Sequence, residues 1–435
     1  MKVSALKYTV LTWVSGLTML IFFLVPLHAL LTVWLSSNFG HYTGLRLWKE
    51  ALLVACTAGI LYLLATDHKI RSHTLSRRLV WLILAYMLLN LVWGLLALNQ
   101  QDVTAKALGY GLISNLRFLV FFLVTWAVAL RMARLRTHWL RLVLWPAVVV
   151  VLVGLLQALI LPNDFMRHFG YSEATIPAVE TINNNENYIR IMSTLRGANP
   201  LGAYLLIPIS LLTVLLIRNG LDWRKGVFMA GSLTVLFFSF SRSAWVGAAI
   251  SIVVLLFLSR LSGRAQKIAL AGAGIITLAA VLTTIAFRNN PHFENFVFHT
   301  ETNSRVATSS NDNRLTALKN GLEDLRHHPL GDGPGTAGPA SHYNNGKANI
   351  AENYFIQVGQ ETGWLGLLLF MLINLGVGAL LYVRRADPLA LSLFASLIGL
   401  TLINLLSHAW TDDTLAYVWW GLAGVAMAPL PNPKK

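Results

Sequence analysis

Long apolar runs separated by short polar segments dominate the chain. They fall near residues 9–35, 48–65, 79–98, 109–130, 139–161, 200–217, 226–240, 243–259, 266–287, 360–383, 389–409 and 414–430. Most approach the roughly 20 residues a helix needs to cross a bilayer, so the pattern predicts an all-α polytopic membrane protein with about 12 transmembrane helices. Two runs test that count. The stretch 227–258 is apolar except around Ser239–Ser243, with basic residues at both flanks. Two short spans joined by a tight Ser-Phe-Ser-Arg-Ser turn return both flanks to one side. The run 9–35 contains Pro26, which predicts either a tilted single helix or a kinked one. It is too long for a signal-peptide core and is read as a retained anchor.

Composition agrees with this reading. Charged residues make up only 12% of the 435 residues, about half the share a soluble surface needs. The net charge of +15 could point to nucleic acid or an anionic partner, so its distribution decides. With the N-terminus inside, the inner segments hold twenty basic residues against three acids, Asp67, Asp222 and Asp387. The outer segments hold thirteen basic residues and sixteen acids, and Arg117 lies within a span. The excess is the positive-inside signal. It implies cytoplasmic termini and asks for no nucleic acid. Cys56 is the only cysteine, which excludes an internal disulfide.

The chain thus reads as a single membrane domain over 1–435 with two long outer segments, 162–199 and 288–359. Both mix aromatic, Gly, Pro and apolar residues, unlike a disordered linker. The second holds a stretch, Asn313–His327, with leucines at 315, 318, 322 and 325. That spacing predicts an amphipathic helix on the outer face, capped by Asp312 or Asn311 and ended by Pro329 and Gly331. His327 and His328 then read as helix C-terminal residues.

Ionisable residues at the outer membrane edge carry the chemical signal, because they are costly there unless paired or used. Arg190 and Arg196 precede the sixth span, Arg242 sits in the tight turn, and Arg314 opens the amphipathic helix. Arginines converging from separate loops suit a pyrophosphate, since the guanidinium fork matches phosphate oxygens. The alternative for each is snorkelling or pairing with a loop acid. Glu352 and His342 are candidate bases, able to take a proton from a hydroxyl near a low-dielectric boundary. Glu361 reads instead as a helix-start or arginine-pairing residue. No Asp-x-Asp, His-Glu-x-x-His or Walker-type loop is present, so neither a metal site nor ATP hydrolysis by that route is indicated. The glycine-rich 331–335 reads as a turn.

Four segments together resemble the O-antigen ligase/polymerase superfamily. They are Arg196-Gly-Ala-Asn-Pro-Leu-Gly202, Phe238-Ser-Phe-Ser-Arg-Ser-Ala-Trp-Val-Gly247, the stretch from Asn313-Arg-Leu to His-His-Pro-Leu-Gly-Asp-Gly-Pro-Gly335, and Glu352-Asn-Tyr-Phe-Ile-Gln followed by Glu361-Thr-Gly-Trp-Leu-Gly. They cover 235–385 well and 190–205 more loosely. The resemblance implies a GT-C-like helical enzyme of the bacterial inner membrane with its active site facing the periplasm. Such an enzyme moves a glycan from undecaprenyl pyrophosphate to an acceptor hydroxyl, without cofactor, metal or nucleotide sugar. Arg190, Arg196, Arg242, Arg314 and Asn353 would then contact the pyrophosphate or substrate, and Glu352 or His342 would act as base.

One departure matters. The family's ligases carry His where Glu352 stands. This leans away from a ligase acting on lipid A-core and toward a polymerase that extends one lipid-linked repeat unit with another. A ligase, or transfer to protein Ser or Thr, stays open. From another class, a lipid-linked glycan transporter also suits twelve spans, but it should show repeat-related halves and midplane charges. Only Arg117 is clearly intramembrane, and the long outer segments hold the candidate residues.

Overall fold

The computed structural model describes residues 5–182, 185–220, 222–259, 267, 286–287, 310–346 and 348–429. The expected span 266–287, apart from 267 and 286–287, and the whole of 288–309 lie outside the described residues. Helices make up most of the rest, in the order α1 (Ala5–Leu24), α2 (His28–Phe39), α3 (Trp48–Thr66), α4 (Arg78–Gln100), α5 (Ala105–Ala129), α6 (Ala133–Leu159), α7 (Ala198–Asn219), α8 (Trp223–Phe238), α9 (Arg242–Leu258), α10 (Ser310–His327), α11 (Tyr354–Val383), α12 (Pro388–Leu406) and α13 (Asp413–Met427). Among the described residues, eight helical segments are long and apolar enough to cross a membrane, and Arg242–Leu258 is a shorter apolar helix.

Two expectations change. An all-α reading misses a small antiparallel pair, β1 (Glu180–Ile182) and β2 (Asn185–Arg190), with Glu180 opposite Arg190. It lies in a polar segment too short for a periodicity signal. The apolar run from 360 belongs to a helix that begins at Tyr354, because Asn353 caps it: its side chain accepts from Ile356 N at 3.0 Å. The outer amphipathic helix is described from Ser310, so Asp312 sits within its first turn and complements the helix dipole there.

The first apolar run is kinked. Pro26 lies in a 3-10 turn, Val25–Leu27, between α1 and α2. A break of this kind leaves carbonyls without helical partners, and in a bilayer each must be partnered from elsewhere. Thr414 donates to Val25 O at 3.1 Å and Thr194 to Pro26 O at 2.8 Å. The segment 162–199 packs beside this kink, with Met166, Tyr171, Ile176 and Met192 against Ala29 and Val33 of α2.

The centre of the bundle is α13, every residue of which from Thr414 to Met427 is buried. Its Tyr417, Trp419 and Trp420 interlock with Phe118, Phe121 and Phe122 of α5 and with Trp410. Above this aromatic layer sits a buried ion cluster. Lys49 Nζ lies 2.8 Å from Asp413 and 3.1 Å from Glu50, while Arg117 pairs with both acids and donates to Thr411 O at 2.6 Å. Both terminal nitrogens of Arg117 are thus engaged by the fold. Breaking such a cluster by removing one partner leaves an uncompensated charge and typically costs 3–5 kcal/mol.

Basic residues of the opposite end make structural ties as well. Arg131 pairs with Asp67, Arg136 with Asp387, and Arg218 donates to Ala386 O at 2.6 Å.

Helices α9 and α12 cross at Gly247 and Gly399, where a Cβ on Gly399 would collide with the Gly247 carbonyl and with Ser251. Small residues let two backbones approach in this way. Gly399→Val is therefore expected to lower the melting temperature of the detergent-solubilised protein by several degrees and reduce its abundance. Gly16→Ala, which meets nothing within 4 Å, should leave both unchanged.

Candidate functional site

The helix α11 is broken at Gly363 (φ 67°, ψ −171°). The Pro329–Gly335 turn plugs into the break. Trp364 N donates to Pro329 O at 3.0 Å, while Asp332 N and Gly333 N donate to the carbonyls of Gln360 and Glu361, each at 2.9 Å. Glu361 is fully buried; its carboxylate accepts from Gly335 N at 2.8 Å and from Asn115 Nδ2 at 2.6 Å. Among the described residues it pairs with no arginine, contrary to one expectation; it is the anchor of the glycine-rich turn. Gly331 and Gly335 are required at this junction, since both have positive φ and a Cβ on either would strike backbone. The turn so fixed carries the outer segment across the bundle end.

Four stretches then enclose one polar cavity of about 420 Å³: the start of α7, the Ser241–Ser243 corner, the outer segment 314–352, and the connector 407–412. Among its walls are Arg196, Arg314, His342, Glu352, His408 and Asp412. An adjoining groove of about 460 Å³ shares Ser243, Arg314 and Glu352 with the cavity and adds Arg242. Its remaining walls are apolar, from α9 (Val246), α10 (Leu315, Leu318) and α12 (Leu402, Leu405, Leu406). A polar chamber and an apolar groove thus meet at Ser243, Arg314 and Glu352, with Arg242 on the groove side.

Backbone ties set Glu352 at that junction. Asn353 Nδ2 donates to Leu405 O at 2.9 Å, and Tyr354 N donates to Ser407 O at 3.2 Å. Glu352 itself adopts a left-handed conformation (φ 52°), as do Phe240 (φ 50°) and Ser193 (φ 54°) nearby in the chain's outer loops. Such backbone is unfavourable for non-glycine residues and persists where the surroundings over-determine it.

The site residues expected from sequence divide into two groups. Arg196, Arg242, Arg314, His342 and Glu352 line the cavity or the groove. Arg190 and Asn353 line neither. Arg190 donates to Glu180 at 2.8 Å, to Asn199 at 2.6 Å and to Ser239 O at 3.0 Å. Glu180 in turn accepts from Ala198 N at 2.8 Å, capping α7. Arg190 thus buttresses the corner that presents Arg242. Burial pulls its guanidinium below the ordinary range, Glu180 opposes this, and Arg314 adds to it. Asn353 uses both ends of its amide on backbone, as described above. Arg196 is 43% exposed while its Nε donates to Asp412 at 2.8 Å, so part of the fork remains open to the cavity.

His408 was not singled out from sequence, because it falls at the end of an apolar run. Its Nδ1 is buried and has no hydrogen-bond partner among the described residues. Burial, with Arg196 and Arg314 adding to it, pushes the imidazole down to about 4, so it is neutral across the physiological range. Among the described residues, Asp324, His328 and Asp332 bring possible metal-ligand atoms within 4.8 Å of one another. They lie at the far end of α10 and line neither the cavity nor the groove.

The His408 shift has a consequence for acid stability. Between its ordinary value near 6.5 and about 4, the unfolded chain binds a proton that the folded chain refuses, so stability falls as pH drops through that window. His408→Gln should flatten the decline of melting temperature between pH 6.5 and 4, measured by thermal unfolding in detergent. An unchanged decline would contradict a buried neutral imidazole.

Comparison with known proteins bears on this arrangement. No curated protein matches the chain. The family model described as O-antigen ligase matches residues 227–371, which include the Arg242 corner, α10, the glycine-rich turn and Glu352. Over that third of its length the chain is similar to the O-antigen ligase family, as its motifs lead one to expect.

Proposed function

We propose that the chain transfers a glycan from a polyprenyl-pyrophosphate carrier to an acceptor hydroxyl on the outer side of the membrane. The match to the O-antigen ligase family points to glycan transfer of the ligase or polymerase type. The observation that carries the finer reading is that the apolar groove adjoins the polar cavity at Arg314 and Glu352, with Arg242 on the groove side of that junction. An isoprenoid tail fits the groove, its diphosphate lies at the two arginines, and the sugar enters the cavity. The N-terminus of the 17-residue α9 begins at Arg242, adding a dipole that favours an anion at the same point.

The reaction follows from this placement. The Glu352 carboxylate takes the proton of the acceptor hydroxyl. The acceptor oxygen attacks the anomeric carbon while the bond from that carbon to the diphosphate oxygen breaks. The configuration inverts, and the leaving diphosphate carries its charge into the Arg242 and Arg314 forks. The donor is already activated, so the residues' work is binding, orientation and proton transfer.

The acceptor that best fits Glu352, in the place where the resemblance puts a ligase's histidine, is a second lipid-linked repeat unit, which makes the enzyme a polymerase of surface polysaccharide. The family description itself favours a second reading, ligation of the glycan to lipid A-core. The cytoplasmic placement of both termini follows from the charge distribution along the chain.

Arg242→Ala should abolish transfer while leaving membrane insertion and abundance intact, and Glu352→Gln should lower turnover by about 10²–10⁴-fold. Gel analysis of lipopolysaccharide and exported polymer reads both. Normal polymer from Arg242→Ala would sink the diphosphate site. A dead His342→Ala beside a healthy Glu352→Gln would move the base to His342. In a null strain, single repeats attached to lipid A-core indicate a polymerase, and accumulated lipid-linked long polymer indicates a ligase.

A further inference from the structure

The polar cavity continues past Arg196. Two smaller cavities, of about 170 and 250 Å³, meet it there, and Arg46 and Arg196 line both. The 3-10 turn Gly338–Tyr343 is the partition. Pro339 borders the polar cavity and the 170 Å³ cavity, His342 faces the former, and Tyr343 faces the latter.

The charges around these cavities are unequal in their pairing. Lys49 and Arg117 are neutralised by Glu50 and Asp413, and Arg196 by Asp412. Arg46 feels Asp413, yet that carboxylate is already shared by Lys49 and Arg117, and Arg46 forms no ion pair among the described residues. It is held by aromatic rings instead. Its guanidinium lies 5.2 Å from the centroid of Tyr110, which stacks on Tyr343 at 4.3 Å, with Lys106 4.5 Å from the far ring. Such a column fixes a cation by its attraction to the ring faces and leaves it without a carboxylate in ion-pair contact, Asp413 acting on it only from further off. The carboxylates that line these cavities, Glu50, Asp412 and Asp413, are paired with Lys49, Arg117 and Arg196, so Arg46 is the cation there suited to an anionic group of a ligand.

Reaction geometry says which ligand. An inverting displacement needs the attacking oxygen opposite the leaving diphosphate. The groove joins the polar cavity at Arg314 and Glu352, and the Arg46 cavities join it at Arg196. We propose that the Arg46 cavities are the acceptor subsite and that they take a glycan bearing an anionic substituent, a sugar carboxylate or a sugar phosphate. This rests on the glycan-transfer reading and adds to it a class of acceptor and a residue that selects it.

Binding read without turnover tests the subsite separately from the reaction. The full chain in lipid nanodiscs, carrying Arg242→Ala to remove the other cation-lined place, is titrated with methyl glucuronide, methyl glucoside 6-phosphate and neutral methyl glucoside. Saturation-transfer NMR reports binding. At least one anionic sugar should bind about tenfold or more tightly than the neutral one, and the tighter of the two names the anion. Adding Arg46→Gln should erase the preference, and Arg46→Lys should keep part of it, with melting curves confirming that both variants fold. Equal binding of charged and neutral sugars, or a preference that survives Arg46→Gln, would overturn the proposal. Neither outcome depends on polymer analysis of Arg242→Ala, so failure of the transfer reading is recognised independently.

Discussion

Inside a bilayer, a carbonyl or amide freed by a broken helix has no water to turn to. That constraint builds the outer end of this protein. At Pro26 the carbonyls of the turn accept from Thr194 and Thr414, which ties the first helices to α7's approach and to α13. At Gly363 the freed carbonyls are taken by the Pro329–Gly335 turn, which locks the outer segment onto α11. At the end of α12 they are taken by Asn353 and Tyr354, which hold Glu352 beside the 407–412 connector. Each break would be a defect alone. Together they bring four distant stretches of chain around one cavity.

The arginines divide along a related line. Some guanidinium groups are tied to acids or carbonyls of the fold: Arg117 in the ion cluster, Arg190 under the Ser239 corner, Arg136 against Asp387. Those that line the cavities have work left to do. Arg196 keeps part of its fork open, Arg314 faces both chamber and groove, and Arg46 lies over a ring face with Asp413 acting on it only from beyond ion-pair contact. The same division explains His408. A neutral imidazole among cations is tolerable only because it does not take a proton, and it faces the chamber as an uncharged hydrogen-bonding group.

Much of this was legible along the chain. Hydropathy marks the helices because the membrane demands long apolar runs, and the Ser239–Ser243 corner is visible as the one polar gap in such a run. The glycine-rich 331–335 reads as a turn because positive φ at Gly331, Gly333 and Gly335 needs glycine. Partners were not legible. Arg190 and Arg242 look alike in sequence, and only the fold places Glu180 and Asn199 around the first. Glu361 carried no sign that its acceptors would face a turn 26 residues upstream. His408 and Arg46 lie at the ends of apolar runs, where composition treats a polar residue as a boundary. The β1–β2 pair is too short for alternation to announce it.

The central claim is that a polyprenyl diphosphate lies with its tail in the groove and its charge at Arg242 and Arg314. Photocrosslinking tests it most directly, with a diazirine-bearing polyprenyl diphosphate glycan and the protein in native-like bilayers, the labelled residues being located by mass spectrometry. The account predicts label on the groove side chains of α10 and α12, Leu315, Leu318, Leu405 and Leu406, suppressed by excess unlabelled carrier and by Arg242→Ala. Label confined to other faces of the bundle, or groove label that carrier and Arg242→Ala leave untouched, would contradict it.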